Sequence, residues 1–226
     1  MRVDVTSRPA YSIAYVKLED GESVFAEAGS MVAISGGIEA SATVSGGVVR
    51  SALRRIVTQE SFIMTRFTAR VYGAWVALSP RFPGDVAALE LTPGADMIVQ
   101  SGSLLAHAET VEVSAALGNL QSFALKEGAT VLRASGAGSL VIAAYGGLER
   151  FELRAGETLV VDSGHLTAWS ASLGFKVGPL KGMLSATLTG EGIVGEFTGP
   201  GLVYVQTRAE QQLRSWLLPD RDHDVR

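Results

Sequence analysis

Three stretches of the chain carry the same order of apolar, polar and glycine positions. Each can be anchored on one glycine: Gly21, Gly94 and Gly156. Before these glycines, Val16 with Leu18, Leu89 with Leu91, and Phe151 with Leu153 leave one residue between apolar positions. Such alternation predicts a half-buried strand. After them come the apolar runs Val24-Phe25-Ala26, Met97-Ile98-Val99 and Leu159-Val160-Val161. An unbroken run of this length predicts a strand buried on both faces. Polar Glu27, Gln100 and Asp162 follow, then Gly29, Gly102 and Gly164. Ser30, Ser103 and His165 come next, then Met31, Leu104 and Leu166, and finally alanine at 33, 106 and 168. The anchor glycines predict turns, because glycine alone takes positive φ without a steric penalty. A later landmark agrees between the last two copies, where Gly136-Ala137-Gly138 corresponds to Gly199-Pro200-Gly201. An ungapped match in three places is the mark of internal repetition.

Each unit is too long for a solenoid rung and reads as a small β-sandwich or barrel of several short strands. The expected fold class is therefore all-β, with three tandem repeats at about 1–80, 81–147 and 148–208 arranged with pseudo-threefold symmetry. These belong to a single compact domain, 1–219, followed by a solvated tail, 220–226. Helix is expected in one or two short pieces. Leu213, Trp216 and Leu217 share a face within 209–218, with Pro219 as the stop. Val49, Leu53 and Ile56 share a face within 48–57, in the insertion that lengthens the first repeat.

Composition adds one inference. Hydrophobic residues make up 47% of the 226 residues and charged residues only 19%, against roughly 25% charged in ordinary soluble domains. The surplus apolar surface predicts burial between subunits, hence a homo-oligomer, with a trimer or a multiple of three favoured by the repeats. It does not predict a membrane span, because no apolar stretch approaches the ~20 residues a bilayer helix needs. Met1-Arg2-Val3-Asp4 leads into no signal-type apolar segment, so the expected location is cytoplasmic. Cysteine is absent, which excludes disulfides and thiol chemistry.

The net charge of −4 argues against bulk nucleic-acid binding. One window differs: Arg50, Arg54, Arg55, Arg66 and Arg70 stand against Glu60 alone. These arginines are either a solvated face or, beside Val49, Leu53 and Ile56, a contact for anionic lipid headgroups or phosphates. Asp162 and His165, three apart in a turn, form a weak acid–base pair on paper. The other copies place Glu27 with Ser30 and Gln100 with Ser103 there, which is the drift a turn tolerates. His107, His165 and His223 share no ligand spacing, so no metal is expected. The glycine-rich segments lack the Gly-Lys-Ser/Thr of a phosphate loop, and no nucleophile elbow is present. No cofactor and no catalytic residues are expected.

Several segments together resemble one known family. They are Ala26-Glu27-Ala28-Gly29-Ser30-Met31, Glu60-Ser61-Phe62 with Phe67-Thr68-Ala69, Pro83-Gly84-Asp85, and Val161-Asp162-Ser163-Gly164-His165. Phe197-Thr198-Gly199-Pro200-Gly201 and Gln206-Thr207-Arg208 complete the set. The chain is similar, over about 5–208, to the family named for altered inheritance of mitochondria, carried by bacteria as uncharacterised proteins. It departs at Thr58-Gln59, where paired glycines would precede Glu60-Ser61. The resemblance implies a fold like that of the tryptophan-sensing RNA-binding attenuation protein (TRAP), triplicated in one chain and commonly oligomeric. It implies no activity. The Lys-Lys-Arg grouping that the attenuation protein uses for RNA is not found, so its RNA residues are not carried over. The leading expectation is a non-enzymatic oligomeric scaffold or interaction protein, membrane-peripheral through its arginines. The alternative is a TRAP-like binding module for a small ligand or RNA. A third is a hydrolase-type enzyme using Asp162 and His165.

Overall fold

A computed structural model describes residues 1–45, 62–116, 131–179 and 193–217. Among them are nineteen strands and one α-helix. Strand β1 (Arg2–Thr6) precedes a first block of six: β2 (Ile13–Leu18), β3 (Ser23–Glu27), β4 (Met31–Ile34), β5 (Ile38–Ser45), β6 (Phe62–Ala69) and β7 (Ala74–Leu78). The next six are β8 (Val86–Leu91), β9 (Met97–Gln100), β10 (Leu104–Ala108), β11 (Val111–Ala115), β12 (Val131–Gly136) and β13 (Gly138–Ala143). The last six are β14 (Leu148–Leu153), β15 (Thr158–Asp162), β16 (Leu166–Ser170), β17 (Gly174–Pro179), β18 (Ile193–Thr198) and β19 (Gly201–Gln206). Helix α1 (Glu210–Leu217) closes the order. The fold is all-β, as the alternation and scarcity of helix predict. The C-terminal helix falls where it was expected; the segment 48–57 lies outside the described residues.

In the first block β2 and β4 flank β7, while β3 and β5 flank β6, all antiparallel. The same four pairings occur in the second block around β13 and β12. They occur again in the third around β19 and β18. Two further pairings join one block to the next: β3 with β10, and β9 with β16. Four sheets result, in the strand orders β1-β2-β7-β4, β5-β6-β3-β10-β13-β8, β11-β12-β9-β16-β19-β14 and β15-β18-β17.

Three apolar cores lie between successive sheets. Ala14, Val16, Val76 and Leu78 meet Val24, Phe67, Leu105 and Val141 in the first. Met97, Val99, Leu104, Leu140 and Ile142 fill the second. Trp169, Phe197 and Leu166 centre the third, where Phe175 and Phe197 both lie against the Trp169 ring, at 5.3 and 5.6 Å between centroids. The apolar run of β9 is buried, as an unbroken run predicts, and that of β3 is buried at Val24 and Ala26 with Phe25 half-buried. That of β15 is not: Val160 is 47% exposed. The reason is topological, since β15 borders its sheet and has β18 alone as a neighbour.

The anchor glycines Gly21, Gly94 and Gly156 have φ of +79°, +84° and +81°, the turn conformation that only glycine takes freely. Pro83-Gly84-Asp85 has a mechanical explanation. A Cβ on Gly84 would lie 1.7 Å from the Ala144 carbonyl oxygen, so only glycine lets the two linkers run side by side. Asp85 is buried and accepts hydrogen bonds from Arg8 Nε and Nη2 (both 2.8 Å), Ser12 Oγ (2.9 Å) and the Val86 N–H (2.8 Å). Burial pushes its carboxyl up, but these donors outweigh burial and hold it below the usual carboxylate range.

Candidate functional site

Strands β3 and β9 end in the polar residues Glu27 and Gln100, and β15 ends in Asp162. After β9 and β15 the chain makes a single 3-10 turn, Ser101–Ser103 and Ser163–His165, before entering β10 and β16. The ends of β3 and β9, the turns after β9 and β15 and the linkers leaving β7 and β13 surround a cleft of about 190 Å³. Its walls include Glu27, Arg81, Phe82, Gln100, Tyr145 and Gln206, with Glu210 and Gln211 of α1 at its rim.

Backbone-directed hydrogen bonds hold the cleft in shape. Gln100 Nε2 donates to the Ser163 carbonyl at 3.1 Å, and Gln206 Nε2 donates to the Gly164 carbonyl at 3.0 Å. Gln206 Oε1 accepts from the Tyr145 N–H at 3.0 Å, so one side chain ties the turn after β15 to the linker after β13. The Phe82 and Tyr145 rings pack at 5.2 Å, and the Arg81 guanidinium lies 5.4 Å above Phe82. Glu27 is half-buried among these walls. Burial pushes its carboxyl above the usual range, and the Arg81 charge only partly opposes this. Among the described residues no hydrogen-bond donor reaches that carboxylate. The cleft therefore presents an acceptor beside an aromatic pair, suited to a small molecule that brings a donor.

The residues singled out in the sequence fall elsewhere. Asp162 accepts from the Gly164 N–H at 2.9 Å and so caps the 3-10 turn. The His165 Nδ1 lies 2.7 Å from the Gln206 carbonyl oxygen. Each side chain is thus engaged by backbone. Arg66 pairs with Glu109 at 2.6 Å, bonds Ser23 Oγ at 3.2 Å and covers the Phe25 ring. Arg70 pairs with Glu39 at 2.6 Å. The structure gives both described arginines a carboxylate on another strand or turn; Arg50, Arg54 and Arg55 lie outside the described residues, as does His223. His107 is buried in β10, stacked 5.2 Å from Phe25, with Nδ1 2.9 Å from the Ala108 carbonyl oxygen. No group of three or more His, Asp or Glu among the described residues is placed to hold a metal ion.

Sequence reasoning missed the cleft although its signal was present. Glu27, Gln100 and Asp162 stand at one position of the repeated pattern, where a single copy suggests turn chemistry or, at Asp162, a weak acid–base pair, but not a shared cleft. Which strand ends converge depends on how the blocks pack. Arg81, Phe82 and Tyr145 follow strands β7 and β13 and carry no motif of their own.

The likeness to known proteins spans almost the whole chain. The family model described as mitochondrial biogenesis AIM24 matches residues 3–208. The chain belongs to the AIM24 family. An uncharacterised protein of Streptococcus pyogenes serotype M6 is 28% identical to it over 230 aligned positions, covering 96% of this chain and 90% of that protein. The crystal structure of a Streptococcus pyogenes protein superposes with a TM-score of 0.75 at 26% identity, covering 96% of this chain and 97% of the other. The bacterial relative is itself uncharacterised, so it adds no reaction.

Proposed function

We propose that this AIM24-family chain is a non-enzymatic, oligomeric interaction protein, built of three tandem TRAP-like units in one domain. The observation that carries this reading is the fate of the block-joining strands. The pairing that joins β3 to β10 and β9 to β16 leaves β4 and β15 unmatched, with Met31, Val32, Ile34 and Val160 exposed. Apolar strand edges left open in this way call for a partner. The identical pairing scheme in each block supports the triplicated reading. Engagement of Asp162 and His165 by backbone supports a structural role for that pair rather than hydrolytic chemistry. A cytoplasmic location goes with this reading; among the described residues no helix is long and apolar enough to cross a membrane. Contact with an anionic membrane surface rests on Arg50, Arg54 and Arg55, because Arg66 and Arg70 already have carboxylate partners.

The test is absolute mass by light scattering on the size-separated protein. A defined multimer, above all a multiple of three chains, is the expected result. A monomer at tens of micromolar would overturn the reading.

The cleft favours a second reading, a module that binds a small molecule. Its carboxylates Glu27 and Glu210 suit a neutral or cationic ligand better than RNA, whose phosphates they would repel. Thermal-shift screening of small amines and amides against the protein and its Glu27→Gln variant tests this. Stabilisation of the unaltered protein that the variant loses is expected; equal shifts in both would remove the cleft from consideration.

A further inference from the structure

The four sheets of the described residues have eight edge strands, and in six of them a charged side chain stands free of any bond to the strand's own following turn. These are Arg2 and Asp4 in β1, Glu39 in β5, Glu90 in β8, Glu112 in β11, Glu149, Arg150 and Glu152 in β14, and Lys176 in β17. Charges on an edge discourage another strand from pairing there. The other two edges differ. Strand β4 is Met31-Val32-Ala33-Ile34, with no charge. Strand β15 has only Asp162, at its end, and that carboxylate is turned onto the Gly164 N–H. A bulge between Met31 and Ala33 does not protect β4. It lies on the side paired with β7, and β10 and β16 carry the same bulge while pairing freely on their other side.

These unguarded edges are two halves of one joint. β4 stands where β10 and β16 stand in their blocks, and β15 stands where β3 and β9 stand. The joint of β3 with β10 and of β9 with β16 is therefore present twice in the chain, with one half left over at each end. The two ends of a single molecule share no core. The first core holds nothing beyond Ala143, and the third nothing before Ile98. We infer that β4 of one copy pairs antiparallel with β15 of a second copy, continuing the internal joint from chain to chain. This rests on the oligomeric reading above and names the surface that makes the oligomer. A second copy is the occupant because it alone supplies the matching half. The joint is head-to-tail, so it repeats from chain to chain and makes a ring where the rotation closes.

The register follows from the internal joints. Ala106, His107 and Ala108 face Ala26, Phe25 and Val24; Ala168, Trp169 and Ser170 face Val99, Ile98 and Met97. The corresponding intermolecular partners are Ala33 with Val161, Ile34 with Val160, and Ser35 with Leu159. Ile34 and Val160, 40% and 47% exposed in the free chain, would cover each other.

Because the chain has no cysteine, introduced thiols report this contact cleanly. Residues facing each other across antiparallel strands lie within reach of a disulfide. Ile34→Cys and Val160→Cys are made separately, then mixed and oxidised. A disulfide-linked dimer from the mixture, absent from either variant alone, is the expected result. The double variant should give a ladder of linked chains, and Val160→Lys should shift the mass toward monomer with an unchanged circular dichroism spectrum. A compact, internally linked monomer from the double variant would overturn the inference, because the edges would then close within one chain. A multimer that fails to crosslink would overturn this joint and leave the oligomeric reading standing. A monomer that fails to crosslink would overturn both.

Discussion

Ile34, His107 and Trp169 occupy one position in the strand scheme, facing Val76, Leu140 and Val203 across their sheets. Their surroundings differ. Trp169 is 1% exposed and centres an aromatic core with Phe175 and Phe197, and His107 is 5% exposed and stacked on Phe25. Ile34 is 40% exposed. The strands holding the first two have neighbours on both sides, and β4 has one. An identical local pattern thus yields core in two places and surface in the third. Burial is conferred by the neighbouring block rather than by the strand itself.

The comparison breaks most plainly under truncation. Trp169→Ala should cost about 3–5 kcal/mol, the usual loss for a buried large aromatic, read by urea unfolding. Ile34→Ala should cost no more than about 1 kcal/mol in the dissociated chain, because its side chain already meets water. Equal losses would mean that β4 is covered in the free chain. The buried Asp85 carboxylate should also anchor its surroundings in a way nothing does at the open edges. Asp85→Ala should lose about 2–3 kcal/mol near neutral pH, less than the full cost of breaking a buried pair because Arg8 keeps access to water. The sign with pH is fixed. A carboxyl held low in the folded state stabilises above the ordinary aspartate range near ~4, and that contribution fades as pH falls through the folded value. The gap between the unaltered protein and Asp85→Asn should therefore narrow in acid; a gap that widened there would be the wrong sign.

The smallest effect is expected at His107. Burial pushes its imidazole below the ordinary range, against hydrogen bonding with the Ala108 and Val111 backbone. The unfolded chain then takes up the proton first, so stability is lost as pH falls below ~6.5. His107→Leu should remove this acid limb from the melting temperature. In the dissociated chain an Ile34→His variant should not introduce one, because a solvated imidazole has nearly the same proton affinity folded and unfolded. A limb of equal size in that variant would show the two positions to be alike.

Much of the fold was legible because strand alternation and turn glycines are local properties. Val16 and Leu18, the turn at Gly94 and the run Met97-Ile98-Val99 all report on their immediate backbone. The cleft was only half legible: Glu27 and Gln100 stood out as a recurring polar position, but their convergence needs three blocks to be placed together. Asp162 and His165 show the reverse failure. Their residue types suggest acid–base chemistry, while the geometry turns one onto the Gly164 N–H and the other onto the Gln206 carbonyl.

The sequence by itself determined the strand class, the repeated order of apolar and polar positions, and the C-terminal helix, because each depends on residues within a few positions of one another. Tertiary structure alone decided which copy of a repeated strand is covered, which polar strand ends share a cleft, and which arginines find carboxylates. Burial and electrostatic pairing belong to neighbours distant in the chain. The same apolar pattern is therefore core at Met97–Gln100 and an open edge at Thr158–Asp162.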